Sequence, residues 1–309
     1  MKDDQNIDAN KAVEIVKRYR RIEEILPAHW TEEWVVANGI RQHYYRTGGN
    51  RPPLVLLHGF SEGALSWIRA ARVLEQDYDV IMIDARGHGQ SDGIEKGFSQ
   101  ELLTEDAAGV IQMLKIEKSR LLGFSMGGIT GIHVADRFRD LVRALIVGGA
   151  ADKSDVRTDF TQSEGYKKWL SVYVSWLEEL KTQSHEERMV SALSHLAPGA
   201  AIPPEVEYVP WVENLARLDI SLMRFSATLW ANLGAMVEEA DRALRRVTCP
   251  VLLMKSSFFP QPGGPRSVQE ETSDLPNVRI VRFVNSGHLI HRERFDEFIS
   301  LVKDFFKEH

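Results

Sequence analysis

The chain has 309 residues, 43% hydrophobic and 27% charged, with 38 basic against 44 acidic side chains and a formal net charge of −6. That length can bury a core without metal or disulfide staples, and the acidic balance argues against a nucleic-acid binder, which needs a basic field. The single cysteine, Cys249, excludes an intrachain disulfide framework and any multi-cysteine metal site.

Met1 to Asn10 carries no apolar run of the kind a secretory signal needs, and no stretch approaches the ~20 apolar residues of a membrane span. The expectation is a cytoplasmic protein that works without metal or cofactor and has no membrane partner. From Ile7 to Leu26, apolar residues at Ala12, Val13, Ile15, Val16, Tyr19, Ile22 and Leu26 predict one amphipathic helix, ended by Pro27. Such a helix docks on the body of the protein or forms a homo-oligomer interface. Trp34–Val36 and His43–Tyr45 flank Asn38-Gly39, a strong hairpin signal.

Short continuous apolar runs follow at Leu54–Leu57, Val80–Ile83, Arg120–Phe124, Val142–Val147, Val251–Met254 and Val278–Val284. Runs apolar on both faces predict parallel strands covered by helices on each side. Helical patterns lie between them, near Ser66–Gln76, Gln100–Leu114, Gly127–Phe138, Arg266–Ser273 and Glu293–Lys307. The alternation predicts a mostly parallel, doubly wound α/β sheet. About a hundred residues between Val147 and Val251 break the rhythm, with an aromatic stripe at Tyr166, Trp169, Tyr173 and Trp176, then Trp211 and Trp230. A helical cap between two strands explains that gap. The stripe serves plain helix packing or lines a ligand pocket.

The segment Leu121-Leu122-Gly123-Phe124-Ser125-Met126-Gly127-Gly128 places Gly-x-Ser-x-Gly between a strand and a helix. A serine on such a turn is forced into strained backbone angles, and glycines two residues to either side make the room. Ser125 is therefore the candidate nucleophile. His58-Gly59-Phe60, at the end of an earlier strand, brings a second loop to the same edge. The amides of Phe60 and Met126 are candidate donors to an oxyanion. His288, after the last strand, is the candidate base. His291 reads as a solvated residue at a helix start, His133 as a packing residue, and the loop Asp84–Asp92, with His88, as structural, cross-linked by Arg86 and its aspartates.

In this order the motifs His58-Gly59-Phe60, Asp84-x-Arg-Gly-His-Gly-x-Ser through Ser91, Gly123-Phe124-Ser125-Met126-Gly127-Gly128 and Gly287-His288 resemble the α/β-hydrolase superfamily over roughly residues 33–307. The resemblance implies a Ser125 nucleophile, a His288 base and an oxyanion hole from Phe60 and Met126. It implies a core at 33–151 and 241–309 and a cap at 152–240 between strands 6 and 7, which leaves residues 1–32 as an N-terminal helical extension. Serine rather than aspartate at 125 argues against the dehalogenase and epoxide hydrolase branches.

The third triad member departs from the family. Most members carry an aspartate after the strand that here is Val251–Met254, yet Phe259 stands there and no acid occurs before Glu270. A minority takes the acid from the end of the preceding strand, which makes Asp152 the nearest candidate and Asp155 the second. Asp152 suits a helix N-cap equally well. The function expected is a serine hydrolase acting through an acyl-enzyme on a small, largely apolar ester or lactone. Trp169, Tyr173, Trp211, Trp230 and Phe259 would contact the substrate. Alternatives are a ligand-binding or signalling protein with little turnover, a carbon–carbon bond hydrolase and a cofactor-free perhydrolase.

Overall fold

The computed structural model describes residues 9–150, 163–196, 202–223, 225, 232–256 and 263–309. Strands β1 (Thr31–Ala37) and β2 (Ile40–Arg46) form the expected hairpin, with Asn38 at φ 49° and Gly39 at φ 75°, the left-handed pair that a tight two-residue turn requires. Then come β3 (Pro53–Leu57), a 3-10 turn (Ala64–Trp67), α3 (Ile68–Leu74), β4 (Asp79–Ile83), α4 (Gln100–Met113), β5 (Ser119–Phe124), α5 (Met126–Arg137) and β6 (Val142–Ala150). After the cap, α9 (Leu233–Leu244), β7 (Val251–Lys255), β8 (Ser267–Glu271), β9 (Val278–Val284), α10 (Ile290–Glu293) and α11 (Phe295–Glu308) complete the chain.

One sheet runs in the order β1-β2-β4-β3-β5-β6-β7-β9-β8. The six strands from β4 to β9 in that order are parallel, while β1, β2 and β8 pair antiparallel at the edges. Period-2 alternation explains why the inner runs are apolar throughout. Leu54, Leu56, Leu122 and Met254 pack with α3 and α11, whereas Val55, Leu57, Leu121 and Leu253 pack with α4, α5 and α9. Strand order reverses around β3, so the carboxyl ends of β3 and β5 open onto a crevice where such sheets place their sites.

Two expected helices differ in the structure. The predicted N-terminal helix is split into α1 (Ala9–Val16) and α2 (Ile22–Ile25), with Arg21 extended at ψ 161°. The intervening residues are spent on the cap: the Arg20 amide donates to Glu205 Oε1 at 2.7 Å, its guanidinium pairs with Glu205, and His185 Nε2 donates to the Tyr19 carbonyl at 3.1 Å. Local propensity yields to these contacts. The segment Arg266–Ser273, expected as a helix, instead supplies β8. It has no apolar face for a helix to bury, while the open edge of β9 satisfies its backbone and sets Glu270 beside Arg279 and Glu271 beside Arg282.

Between β6 and β7 the described cap comprises α6 (Glu164–Thr182), α7 (His185–Leu193) and α8 (Glu205–Arg217). Helix α8 packs on α6 and α7 and against α3 and the 3-10 turn. Its neighbouring segment is tied to the core, since the Asp219 amide donates to the Gly87 carbonyl at 2.9 Å and Asp219 Oδ2 accepts from Ile94 N–H. Helix α9 crosses the expected cap boundary at 240 and buries Ala240, Ala243 and Leu244 in the core layer below the sheet. Among the described residues no helix is long and apolar enough to cross a membrane.

Candidate active site

Ser125 joins β5 to α5 with φ 51° and ψ −114°, far from the region that serine ordinarily occupies. Its N–H is held by the Gly148 carbonyl at 2.9 Å, across the parallel neighbour β6. The flanking glycines are dictated by space: a Cβ at Gly123 would lie under 3.0 Å from the Gly127 carbonyl, and one at Gly127 would strike the carbonyls of Leu57 and His58. Backbone atoms cannot move aside as a side chain can. Ser125 thus sits at the head of α5, where the helix presents free N–H groups and its positive dipole end.

The loop His58–Gly63 leaves β3 beside this elbow, and the Gly127 N–H donates to the His58 carbonyl at 3.1 Å. Neither the Phe60 nor the Met126 N–H is taken by a turn or ladder bond among the described residues. Two imidazoles hold the loop from beneath. His58 Nδ1–H donates to the Gly59 carbonyl and its Nε2 accepts from Ala85 N–H. His88 Nδ1–H donates to the Arg86 carbonyl at 3.0 Å, leaving Nε2 to accept from Ser61 N–H at 3.3 Å. Burial pushes His88 down to about 3, so it stays neutral as an acceptor. The loop Asp84–Asp92 is cross-linked as expected, with Arg86 Nη2 on Asp106 at 2.6 Å and the Asp84 carboxylate accepting from Ala64 and Gln90 amides. Its histidine reaches further than a structural reading implies, for it anchors the neighbour of Phe60.

His288 follows β9 on a loop fixed by Glu293, whose carboxylate accepts the Gly287 N–H at 2.9 Å. Its ring lies 5.0 Å from that of Phe124, the residue before the serine, and a Cβ on Gly149 would be 3.1 Å from His288 Cε1. The structure therefore brings Ser125, Phe60, Met126 and His288 to one sheet edge, with the imidazole against the end of β6. His291 corrects the sequence expectation. It is 4% exposed, wedged among Trp67, Phe124 and Phe298, and burial holds it at about 3. The three-residue interval from His288 turns it inward across α10.

Asp152, Asp155, Trp230 and Phe259 lie outside the described residues. The first acids after β7, Glu270 and Glu271, are committed elsewhere, to Arg279 and to Arg282 with Lys255. In the cap, Tyr173 and Trp211 are partly buried against the main core, whereas Trp169 is 53% exposed and stacks on Tyr173. The stripe from Tyr166 to Trp176 forms a continuous aromatic ladder along α6. His133 is buried within α5, and burial raises the Cys249 thiol to about 11, so it remains protonated at neutral pH.

Two site residues escaped the sequence reading. Glu62, 7% exposed, accepts the Gly59 N–H at 3.0 Å through Oε2 and pairs through Oε1 with Arg292 Nη2 at 2.7 Å. Burial alone would raise its carboxyl; the Arg292 charge and the Gly59 bond outweigh that and hold it below the usual range. The available signal was a lone acid inside an otherwise uncharged loop. Among the described residues no group of three His, Cys, Asp or Glu side chains is placed to hold a metal ion.

Comparison with known proteins agrees with this fold. The chain is 29% identical over 275 residues to a 2-hydroxy-6-oxononadienedioate/2-hydroxy-6-oxononatrienedioate hydrolase of Paraburkholderia phymatum, covering 86% of this chain and 91% of that one. Among solved structures, an N-formylmaleamic acid deformylase of Pseudomonas putida S16 superposes with a TM-score of 0.65 at 20% identity, over 88% of this chain and 100% of the other. A ligand-free epoxide hydrolase gives 0.65 at 21% identity, over 90% and 99%. The alpha/beta hydrolase fold family model matches residues 52–295, the span that runs from the start of β3 past His288. With the sheet order, the glycine-flanked serine elbow and that match in agreement, the chain belongs to the alpha/beta hydrolase fold family.

Proposed function

We propose that the protein is a serine hydrolase that attacks a small carbonyl substrate with Ser125 and passes through an acyl-enzyme. The observation that carries this reading is the strained elbow: a serine at φ 51° heading α5, beside a loop whose Phe60 amide takes no turn or ladder bond among the described residues. His288 would accept the Ser125 proton as Oγ adds to the carbonyl carbon. The Phe60 and Met126 amides would hold the resulting oxyanion, a contribution on the order of 10²–10³ in rate per donor in related chemistry. Collapse expels the leaving group, which takes the proton from His288. Water then gives a proton to His288 as it attacks the acyl carbon, and His288 returns that proton to Ser125 Oγ as the acid is released.

Asp152 is the acid we assign to orient His288. Support comes from the imidazole resting against Gly149, three residues before Asp152, and from the commitment of Glu270 and Glu271 to arginines. An ester or lactone with an apolar body suits the aromatic cap, with Tyr173 and Trp211 as contacts. A carbon–carbon bond hydrolase is the second reading, favoured by the similarity to the Paraburkholderia phymatum enzyme over 86% of this chain. Aspartate-dependent epoxide opening is disfavoured by serine at position 125.

A fluorophosphonate probe tests the nucleophile, with stoichiometric labelling at Ser125 expected and none in Ser125→Ala. A series of aryl esters, lactones and 2-hydroxy-6-oxo-dienoic acids then separates the two readings by kcat/KM. Folded protein that takes no label and turns over none of them would leave a ligand-binding protein. Asp152→Asn should lower kcat by orders of magnitude, about 10⁴ where a comparable acid is removed from a serine protease, with KM little changed. Activity within threefold of the parent would remove Asp152 from the triad.

A further inference from the structure

We infer that Glu62 and Arg292 act as one positioning unit that sets the oxyanion loop against the histidine loop. The inference rests on the serine hydrolase reading above and deepens it. Its basis is a chain of bonds that crosses from one loop to the other. Glu62 Oε2 grips the Gly59 N–H at 3.0 Å, immediately before Phe60, and its own N–H donates to the Gly59 carbonyl at 3.2 Å. Glu62 Oε1 takes Arg292 Nη2 at 2.7 Å. Arg292 stands in the single turn of α10, four residues after His288, and the next residue, Glu293, grips the Gly287 N–H. Two carboxylates and one guanidinium thus link the amide before Phe60 to the amide before His288, across a sequence separation of 230 residues.

A Cβ on Gly59 would fall 2.9 Å from Glu62 Oε2 and 3.1 Å from Phe124 Cδ1, so the loop packs on that carboxylate with no slack. A buried ion pair is a poor source of stability, because desolvating both charges offsets most of their attraction. Its geometry, however, is stiff and directional. Among the described residues no hydrogen bond or ion pair joins Glu62 or Arg292 to Ser125, so the pair acts through the loops of Phe60 and His288. Small displacements matter there: an error of about 1 Å can cost about 10²-fold in rate.

The test compares Glu62→Gln, Arg292→Gln and the double variant with the parent, using an aryl ester for kcat and KM and an arylboronic acid as a tetrahedral mimic. Both single variants should lose about tenfold to a hundredfold in kcat at a KM within threefold, and the boronate inhibition constant should rise by a similar factor. The double variant should be no worse than the weaker single, as expected of residues that act as one unit. Three results overturn the inference: kcat within threefold of the parent, a KM increase at unchanged kcat, or losses that multiply in the double variant. If a glutamine variant does not melt cooperatively, Arg292→Lys replaces it. That charge-retaining change should cost threefold to tenfold in kcat alone, and an unchanged kcat is contrary. Fluorophosphonate labelling of the parent keeps the two ideas apart. An unlabelled parent defeats the serine hydrolase reading, whereas a labelled parent with an unaffected Glu62→Gln variant defeats only the positioning unit.

Discussion

The Nε2 atom of His88 accepts a hydrogen bond from the Ser61 amide at 3.3 Å, and Ser61 itself is held at φ 60°. A residue from the loop after β4 therefore maintains a left-handed turn in the loop after β3, one position beyond the Phe60 amide. Left-handed backbone at a serine costs on the order of 1 kcal/mol or more and persists only when its surroundings enforce it.

Replacing His88 by Phe keeps an aromatic ring but removes both the acceptor for Ser61 and the donor to the Arg86 carbonyl. The Ser61 N–H then loses its partner, a penalty of about 1–3 kcal/mol where water cannot replace it. We expect kcat on an aryl ester to fall at least tenfold while KM stays within threefold, with a melting temperature lowered by a few degrees. Equal turnover in the two proteins would disconnect His88 from the oxyanion loop.

Gly127→Ala should fail to give the native fold or lose at least ~3 kcal/mol in urea unfolding, the range of the most disruptive single substitutions. The added Cβ meets carbonyl oxygens of Leu57 and His58 in the backbone of β3 and its loop. Gly165→Ala is the control. Among the described residues its Cβ meets only Ser163 Oγ, at 4.0 Å, and the change should leave stability unchanged or slightly raised. Similar midpoints for the two variants would remove the steric account of the motif.

Acid should destabilise the protein well above the carboxylate range. His88 and His291 are buried neutral, with folded values pushed by burial from 6.5 to about 3. The unfolded state therefore binds more protons between those limits. Their contribution is full above pH 6.5 and declines as pH falls toward 3, at up to about 1.4 kcal/mol per pH unit for each imidazole. Glu62 and Asp84, held low in the fold despite their burial, add a further loss below about pH 4. Urea unfolding at pH 7, 6 and 5 should show this slope, and His291→Phe, which suits the Trp67–Phe124–Phe298 cluster, should flatten it. Parallel slopes for parent and variant would show that His291 is not buried as the free base.

Much of the fold was legible because the features that announce it are local. The Asn38-Gly39 turn, the six runs apolar on both faces and the glycine-flanked Ser125 each carry a short-range steric or periodic signature. What was not legible depends on partners distant in the chain. Ser267–Glu271 is a strand only because β9 leaves an edge open, and the N-terminal helix breaks only because Arg20 and Tyr19 meet cap residues more than 160 positions away. His291 looked like a helix-end residue until Trp67 and Phe298 closed over it. Glu62 and Arg292 give no sign singly; their role exists only as a pair.

The Asp219 tie between cap and core bears on how the protein would answer to substrate size. Asp219 is bonded to Gly87 and Ile94, and Leu222 packs where a Cβ on Gly87 would stand. Gly87 adjoins His88, whose ring steadies Ser61. If the Phe60 amide holds the oxyanion as proposed, a guest large enough to lever the cap outward would tug on it through Gly87, His88 and Ser61. Bulk would be penalised in turnover as well as in affinity, so selectivity for size could arise without a wall that the substrate ever touches.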